Sequence, residues 1–320
     1  MHQRWIPRSL IVGFILALFV SARRTNSQTS DSGSHAEAYR LKVAVDEIVL
    51  NFHVADAHGL PVNDLQLEEL SLLDNGKPPR KVVAFQIMQD APIRAGILMD
   101  TSDSQRDQLA GNRAISTRYI QRLLRQQTDE AFVMDFAAMS EVTQPWTNNA
   151  NALASGVRKA ASYGGTHIRG TAIFDAIYRA CLNQLGHTDR ADSANFILLF
   201  SDGEDNASRS SLQDAIRICQ ATHTAIYSFR AGSATSSVGP KALTDLATES
   251  GGRVFRADDT EEGIDGDLRA IEKDLRSQYR LVYRPAELKR DGSFHRIELT
   301  APERENSVVA VRSGYYAPVR

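Results

Sequence analysis

The stretch AGILMDTSDS, residues 95–104, joins a short apolar run to a series of oxygen-bearing side chains. An uncharged apolar run of this length is typical of a strand that is buried on both faces of a sheet. The chain becomes polar at Asp100 without an intervening turn signal. The same junction recurs in NFILLFSDGEDN, residues 195–206, where the apolar run leads directly into Asp202. The sequence therefore predicts two buried strands, each followed by an aspartate.

Strand and helix patterns alternate on both sides of these two junctions. This alternation is typical of βαβ crossovers, which build a parallel sheet with helices on both faces. We therefore expect an α/β fold with a Rossmann-like, doubly wound, mostly parallel sheet over residues 92–278. The apolar spacing predicts helices at 105–126, 149–161, 171–185, 209–221, 239–250 and 260–276, and further strands at 131–136, 141–146, 224–229 and 252–256.

The flanking segments, residues 38–91 and 279–320, carry strand patterns without helices. Short runs alternate apolar and polar residues, and Asn75-Gly76 between two such runs predicts a β-hairpin. An isolated hairpin is barely stable in water. We therefore expect the two flanks to pack together as one small β-sandwich-like unit, with the α/β region inserted between them. The alternative is that each flank adds strands to the central domain separately.

The first 22 residues have the pattern of a signal peptide. A basic start precedes the uncharged run LIVGFILALFV at 10–20 and the small-residue site Val20-Ser21-Ala22. The run is shorter than the about 20 apolar residues that a spanning helix needs. Residues 23–37 are polar and predict a flexible leader. We expect an exported protein, either periplasmic or extracellular and cell-surface; in the alternative, an uncleaved N-terminal segment is its one contact with a membrane.

Composition excludes several classes of protein. Of the 320 residues, 42% are hydrophobic and 24% are charged, which excludes a mainly disordered chain. The 37 basic and 39 acidic residues leave a net charge of −2, so we expect no nucleic-acid partner. Cys181 and Cys219 are too few for a disulfide scaffold or a four-thiolate zinc site. Both lie on predicted helices and are expected to be buried free thiols, although an exported protein permits a disulfide.

Side chains with hard oxygen atoms collect at the predicted strand ends and form the candidate site. Ligands of an open α/β sheet bind at the carboxyl ends of strands, where the strand order reverses. Carboxylate and hydroxyl oxygens suit Mg²⁺, Mn²⁺ or Ca²⁺ and disfavour zinc and copper. Such a metal keeps at least one position for water or for an acidic side chain of a partner. The candidate metal ligands are Asp100, Ser102, Ser104, Thr171 and Asp202.

The pattern D-x-S-x-S at 100–104, the later Thr171 and the SDG aspartate Asp202 resemble the metal-ion-dependent adhesion site of von Willebrand factor type A (VWFA) domains. The resemblance implies that the serines, with the threonine or the second aspartate, contact the metal and that a partner's carboxylate completes its shell. It covers about residues 92–278, and the flanks resemble a bacterial exported family of VWFA-related proteins. Thr166 is the alternative to Thr171, because the segment GGTHIRGT at 164–171 offers two threonines in similar settings.

The sequence favours a non-enzymatic binding protein whose partner is a protein with an acidic side chain. A structural envelope protein, in which the VWFA domain is a scaffold and the β-rich unit binds, is the alternative. A metal-assisted phosphatase or hydrolase is disfavoured, because Ser102 stands where an aspartate would act as general acid. The first strand lacks a glycine-rich turn and no G-x-S-x-G elbow is present, so we expect no small-molecule substrate. Asp103, His167, Glu204 and Asp205 are expected to be solvated loop or turn residues.

Overall fold

The computed structural model describes residues 47–125, 127–160, 170–186, 193–230, 237–257 and 260–319. The described part of the chain begins with the strands β1 (Ile48–Ala55), β2 (Ser71–Asp74) and β3 (Lys81–Gln89). The α/β region then contains β4 (Ile93–Asp100), α1 (Leu109–Leu123), β5 (Glu130–Phe136), β6 (Ser140–Thr147), α2 (Ala150–Lys159), α3 (Ile173–Arg179), β7 (Ala194–Ser201), α4 (Leu212–Ala221), β8 (Thr224–Arg230), α5 (Val238–Ser250), β9 (Val254–Arg256) and α6 (Glu261–Arg276). It is followed by β10 (Ser277–Arg284), β11 (Phe294–Thr300), β12 (Val308–Val311) and β13 (Gly314–Tyr316).

The central sheet has the strand order β6-β5-β4-β7-β8-β9. Strand β4 pairs in parallel with β5 and β7, the pairs β7–β8 and β8–β9 are also parallel, and β6 runs antiparallel to β5. This sheet confirms the predicted Rossmann-like, mostly parallel α/β fold. After β4 the chain continues to one side of the sheet, and after β7 it continues to the other. The strand order therefore reverses between β4 and β7, where open α/β sheets bind ligands.

Helices cover both faces of the central sheet. Every residue of β4 is buried. Apolar residues of α1, α2 and α6 pack on one face, and those of α3, α4 and α5 pack on the other. Burial on both faces explains why β4 and β7 are almost purely apolar in sequence. The polar residues that follow these strands are therefore the first that can bind a ligand.

Three helices begin two to four residues later than predicted, among them α4, which begins at Leu212 instead of 209. Helix α1 begins at Leu109 instead of 105, because Asp103–Gln105 form a separate 3₁₀ turn. Serine and aspartate side chains bond to nearby backbone groups and so favour turns over helix interiors. Helix α3 begins at Ile173, and Ala180–Leu185 continue it as a π-helical turn.

Two small antiparallel sheets are built from the flanks. Their strand orders are β12-β1-β10-β3 and β13-β11-β2. Each sheet combines strands that precede the α/β region with strands that follow it: β1 pairs with β10 and β12, and β2 pairs with β11. The two sheets share a hydrophobic core, which contains Leu50, Phe52, Val54, Leu65, Leu72, Tyr279, Leu281, Tyr283, Ile297, Leu299, Ala301 and Tyr315.

The hairpin prediction at Asn75-Gly76 is wrong. The turn itself forms, with positive φ of 49° at Asn75 and 73° at Gly76. However, β2 pairs with β11 and β3 pairs with β10, so the two runs belong to different sheets. Pro78 and Pro79 follow the turn and have no backbone N–H to donate to a ladder. The chain therefore pairs back on β2 only at the single bridge between Asp74 and Lys77, and then crosses to the sheet that contains β3.

A buried ion pair lies where the chain enters and leaves the α/β region. Arg276, the last residue of α6, contacts Asp129 with Nη2 2.5 Å from Oδ2. Its Nη1 donates to the carbonyl oxygen of Ala91 at 3.1 Å. The other carboxylate oxygen of Asp129 accepts a hydrogen bond from the backbone N–H of Ile93 at 2.9 Å. One carboxylate and one guanidinium thus hold both crossings together.

Several predictions concern residues outside the described ranges. They are the signal peptide at 1–22, the leader at 23–37, the alternative ligand Thr166 and the loop residue His167. None of the helices in the described ranges combines the length and the apolar character required to cross a membrane. The export of the chain therefore stays a prediction from its first 22 residues.

Candidate metal site

Asp100 ends the central strand β4 at the point where the strand order reverses. Its side chain is fully buried. Its Oδ1 accepts a hydrogen bond from the backbone N–H of Ser102 at 3.0 Å, and its Oδ2 accepts one from Ser201 Oγ at 2.6 Å. Ser201 is the last residue of β7, so these bonds join the ends of the two strands. They hold the carboxylate in one orientation.

The hydroxyl groups of Ser102 and Ser104 lie side by side. Their Oγ atoms are 3.2 Å apart, brought together by the 3₁₀ turn at Asp103–Gln105. Neighbouring ligands of an octahedral Mg²⁺, with bonds of 2.0–2.1 Å, lie about 2.9 Å apart. The spacing of the two hydroxyls is therefore close to the spacing that one cation requires. Ser102 is buried and Ser104 is exposed, so the pair extends from the sheet edge to the surface.

Asp202 follows β7 and is buried beside Asp100. Its Oδ1 accepts a hydrogen bond from the backbone N–H of Glu204 at 3.0 Å. Gly203 has a φ of +87°, and a Cβ atom added there would lie 2.2 Å from the carbonyl oxygen of Gly239 in α5. The SDG sequence therefore needs its glycine because α5 packs directly against this turn.

Thr171 lies at the same edge of the sheet, just before α3. Its backbone N–H donates to Asn206 Oδ1 at 2.8 Å, and its carbonyl oxygen accepts from the N–H of Asn206 at 3.0 Å. The N–H of Ala172 donates to the carbonyl oxygen of Ala137 at 2.8 Å, just past the end of β5. Thr171 is thus fixed between β5 and the loop that follows Asp202. The structure brings all five predicted residues to one edge.

Sequence reasoning missed the residues that hold this edge together. Ser201 supports Asp100, as described above. Asp205, expected to be a solvated turn residue, accepts hydrogen bonds from Phe174 N–H at 3.1 Å and Ser208 Oγ at 2.6 Å. Asp175 in turn accepts from the backbone N–H of Ser210 at 2.8 Å. The bonds to Phe174 and Ser210 join α3 to the loop after β7 across 31 and 35 residues of sequence, and no local pattern reveals them.

The two carboxylates share a buried environment. Burial is the main cause that raises the pKa of Asp100 from 3.8 to about 6, and the negative charge of Asp202 adds to it, while hydrogen bonds from Ser102 and Ser201 act in the opposite direction. A bound cation would stabilise both carboxylates in their charged forms.

We expect Asp100→Asn to raise the melting temperature of the metal-free protein at pH 7.5. Because the folded-state pKa is raised to about 6, the carboxyl favours folding fully below its unfolded pKa, and this contribution is lost as the pH rises through the folded pKa. The shift corresponds to on the order of 3 kcal/mol at neutral pH. Thermal melts in chelator measure the gain, which should be smaller at pH 5; an equal gain at both pH values would contradict this account.

Among the described residues, no three His, Cys, Asp or Glu side chains form a metal-binding group. Metal binding at this edge would therefore depend on hydroxyl oxygens together with the two carboxylates. Such an all-oxygen donor set fits a hard divalent cation.

Several solved structures share low sequence identity with this chain. The conserved hypothetical protein BatB from Bacteroides thetaiotaomicron is 16% identical, with 57% of this chain and 98% of that chain covered and a TM-score of 0.47. An aerotolerance-related membrane protein from Bacteroides fragilis is 16% identical, with 57% and 98% covered and a TM-score of 0.45. Proximal thread matrix protein 1 from the mussel byssus, with a zinc occupied MIDAS motif, is 14% identical, with 64% and 50% covered and a TM-score of 0.45. A search of curated proteins finds no match.

The family comparison concerns the α/β region itself. The model of the von Willebrand factor type A domain matches residues 96–270, from within β4 into α6. The match covers more than half of the chain and includes all five candidate ligands. This protein therefore belongs to the von Willebrand factor type A domain family.

Proposed function

We propose that this chain is an exported, non-enzymatic binding protein that holds a divalent cation, Mg²⁺ or alternatively Mn²⁺ or Ca²⁺, and uses it to coordinate an acidic side chain of a protein partner. One observation carries the proposal. Asp100 at the end of β4 accepts a hydrogen bond from Ser201, which precedes Asp202 at the end of the adjacent strand β7. The paired hydroxyls of Ser102 and Ser104 lie beside this contact.

The residues would divide the work of holding the cation. Ser102, Ser104, Thr171 and Asp202 would supply oxygen ligands. Asp100 has both carboxylate oxygens engaged by Ser102 and Ser201, so it would act by its charge and by positioning Ser102. Bound there, the cation supplies an electrophilic centre to which a carboxylate from outside adds. Only two carboxylates lie near the cation, and one of them, Asp100, would not bond it directly. The cation would therefore still attract a third carboxylate from a partner.

The donor chemistry also supports a binding role over catalysis. A hydrolase at this edge would need a group that moves protons to the leaving atom. Ser102 stands two residues after Asp100, where that group would stand, and a serine hydroxyl cannot serve as a general acid. We therefore expect no turnover of phosphate esters by the metal-loaded protein.

Export is supported by the sequence of the first 22 residues, with their basic start, apolar run and small-residue cleavage site. A location outside the cytoplasmic membrane gives the site access to acidic side chains on secreted or surface proteins. We place the protein in the periplasm or at the cell surface.

Capture of exported proteins tests the partner's chemistry. The chain without residues 1–22 is immobilised and exposed to proteins exported by its own organism, with Mg²⁺ or with chelator. We expect capture with Mg²⁺ that chelator abolishes, and that prior amidation of the carboxylates in the extract also abolishes. The Ser102→Ala, Ser104→Ala double variant should capture nothing.

Asp107→Asn provides the matched control, because Asp107 is an exposed carboxylate three residues beyond Ser104. This variant should capture like the unmodified protein. Capture that persists in chelator and in the serine double variant would contradict the proposal and support the scaffold alternative, in which the β-rich unit binds.

A further inference from the structure

We propose that Cys181 and Cys219 form an intramolecular disulfide in the exported protein, and that this bond fixes α3 against α4 and so holds Thr171 near Asp202. The existence of the bond rests on the export that the proposed function includes, but not on the metal site. Its effect on the site rests on that function.

The two sulfur atoms already lie together in the core. Cys181 stands in the π-helical turn after α3, and Cys219 stands on α4, 38 residues later. Both side chains are fully buried thiols, and their Sγ atoms are 2.8 Å apart. A disulfide has an S–S length of about 2.05 Å. Closing the bond therefore requires an approach of less than about 1 Å, within the reach of small side-chain rotations.

Cys181 lies in the π-helical turn, where it contacts Cys219 of α4. A π turn inserts an extra residue into a helix and changes the direction of the side chains that follow, and such turns are often found at functional positions. Here the widened turn covers Ala180–Leu185 and ends at Gly186, whose N–H donates to the carbonyl oxygen of Cys181 at 2.8 Å. A Cβ atom on Gly186 would lie 2.9 Å from the carbonyl oxygen of Leu182. The backbone that follows Cys181 is thus closely packed up to Gly186.

A disulfide at this place would complete a clamp on the metal site. Helix α3 begins two residues after Thr171, and α4 follows the loop that starts at Asp202. Near the site, Asp175 of α3 already accepts hydrogen bonds from the N–H groups of Arg209 and Ser210, at 3.1 and 2.8 Å. At the other end of these two helices, the contact between the sulfur atoms of Cys181 and Cys219 joins α3 to α4. A covalent bond there limits how far Thr171 and Asp202 can separate.

The bond forms by thiol–disulfide exchange. A disulfide of a protein oxidase accepts the two electrons: the Cys181 and Cys219 thiols become one disulfide, and the oxidase disulfide becomes two thiols. Burial raises the pKa of the Cys219 thiol well above its ordinary value, and a thiolate is the attacking form. Exchange therefore occurs while the exported chain is still unfolded, in an oxidising compartment.

Thiol counting tests the bond directly. The full chain is exported to a bacterial periplasm, purified without reductant, unfolded in denaturant and titrated with a thiol reagent. We expect no free thiols and an intact mass lower by two hydrogen atoms than that of the reduced protein. Cys219→Ala is the control and should release one free thiol. Two free thiols in the unmodified exported protein would overturn the proposal.

A comparison of oxidised and reduced protein tests the clamp. Reduced, refolded protein should melt roughly 10 °C below the oxidised form, given the loop of 38 residues. The Cys181→Ala, Cys219→Ala variant should melt at one temperature with or without reductant. Mg²⁺ affinity should be several-fold weaker in the reduced form. Equal affinities would overturn the clamp, whereas absence of Mg²⁺ binding in both forms would contradict the proposed function and leave the thiol count to decide the bond.

Discussion

Asp129→Ala is expected to lower the free energy of unfolding by about 3–5 kcal/mol, since it removes the buried carboxylate that pairs with the buried guanidinium of Arg276. The Asp129 carboxylate is completely buried. It accepts hydrogen bonds from the backbone N–H groups of Ile93 at 2.9 Å and Arg125 at 2.8 Å, and from both terminal nitrogens of Arg276. The substitution removes all of these acceptors at the joint between the α/β region and the β-rich unit.

Strong acid should also remove the stability that the Asp129 carboxylate contributes, because it protonates this group. Burial acts to raise the pKa of Asp129, but hydrogen bonds from Arg276 and from the backbone outweigh it, so the pKa is lowered. A carboxyl with a lowered folded-state pKa contributes stability above its unfolded pKa and loses it as the pH falls through the folded-state pKa. The difference in free energy of unfolding between the Asp129→Ala variant and the unmodified protein should therefore become smaller in strong acid.

Urea unfolding measures the effect, and Glu287→Ala is the control. Glu287 pairs with Lys77 at 2.7 Å, but both side chains are more than half exposed. An exposed pair contributes about 0–1 kcal/mol. A loss for Asp129→Ala that does not exceed the loss for Glu287→Ala would show that the buried pair does not hold the joint.

Asp202→Asn should weaken Mg²⁺ binding at least about 100-fold, or about 2.8 kcal/mol. The substitution removes one of the two negative charges that face the cation. It keeps an oxygen that can accept the hydrogen bond from the N–H of Glu204, so the turn at Gly203 should persist. Calorimetric titration measures the affinity, and circular dichroism should show an unchanged fold.

Asp107→Asn makes the same change of charge at an exposed position near the site. Because exposed charges are screened by solvent and salt, we expect its Mg²⁺ affinity to stay within a few-fold of the unmodified value. An equal loss in both variants would indicate a general field effect, and the ligand role of Asp202 would be wrong. Thr171→Ala should also weaken binding, and Thr166→Ala should not if Thr171 is the ligand.

The strand ends could be predicted because the signals are local. An apolar run buried on both faces is almost free of polar residues, so the position where Asp100 or Asp202 follows it is visible in sequence. Parallel strands place these ends at one edge of the sheet. The strand ends predicted that Asp100 and Asp202 lie at one edge, whereas the fold class followed from the alternation of strand and helix patterns and the preference for Thr171 followed from the family resemblance.

The supporting contacts could not be predicted because they depend on tertiary packing. Asp205 bonds to Phe174 and Asn206 bonds to Thr171 across 31 and 35 residues. Neither contact leaves a periodic pattern. The predicted pairing of β2 was wrong for the same reason. Asn75-Gly76 specifies a turn, but the strand that pairs with β2 is β11, more than two hundred residues away. Local sequence thus indicates where chemistry can occur, and long-range packing decides how it is held.

The most direct test of the metal site is an anomalous diffraction measurement on crystals of the protein grown with Mn²⁺. We expect one strong anomalous peak beside the Ser102 and Ser104 hydroxyls and within bonding distance of Asp202. Asp100 should lie near this peak without bonding the metal directly. The peak should be absent from crystals of the Asp202→Asn variant. If the unmodified protein instead shows no peak between β4 and β7, or shows its strongest peak elsewhere, the proposed metal site is wrong.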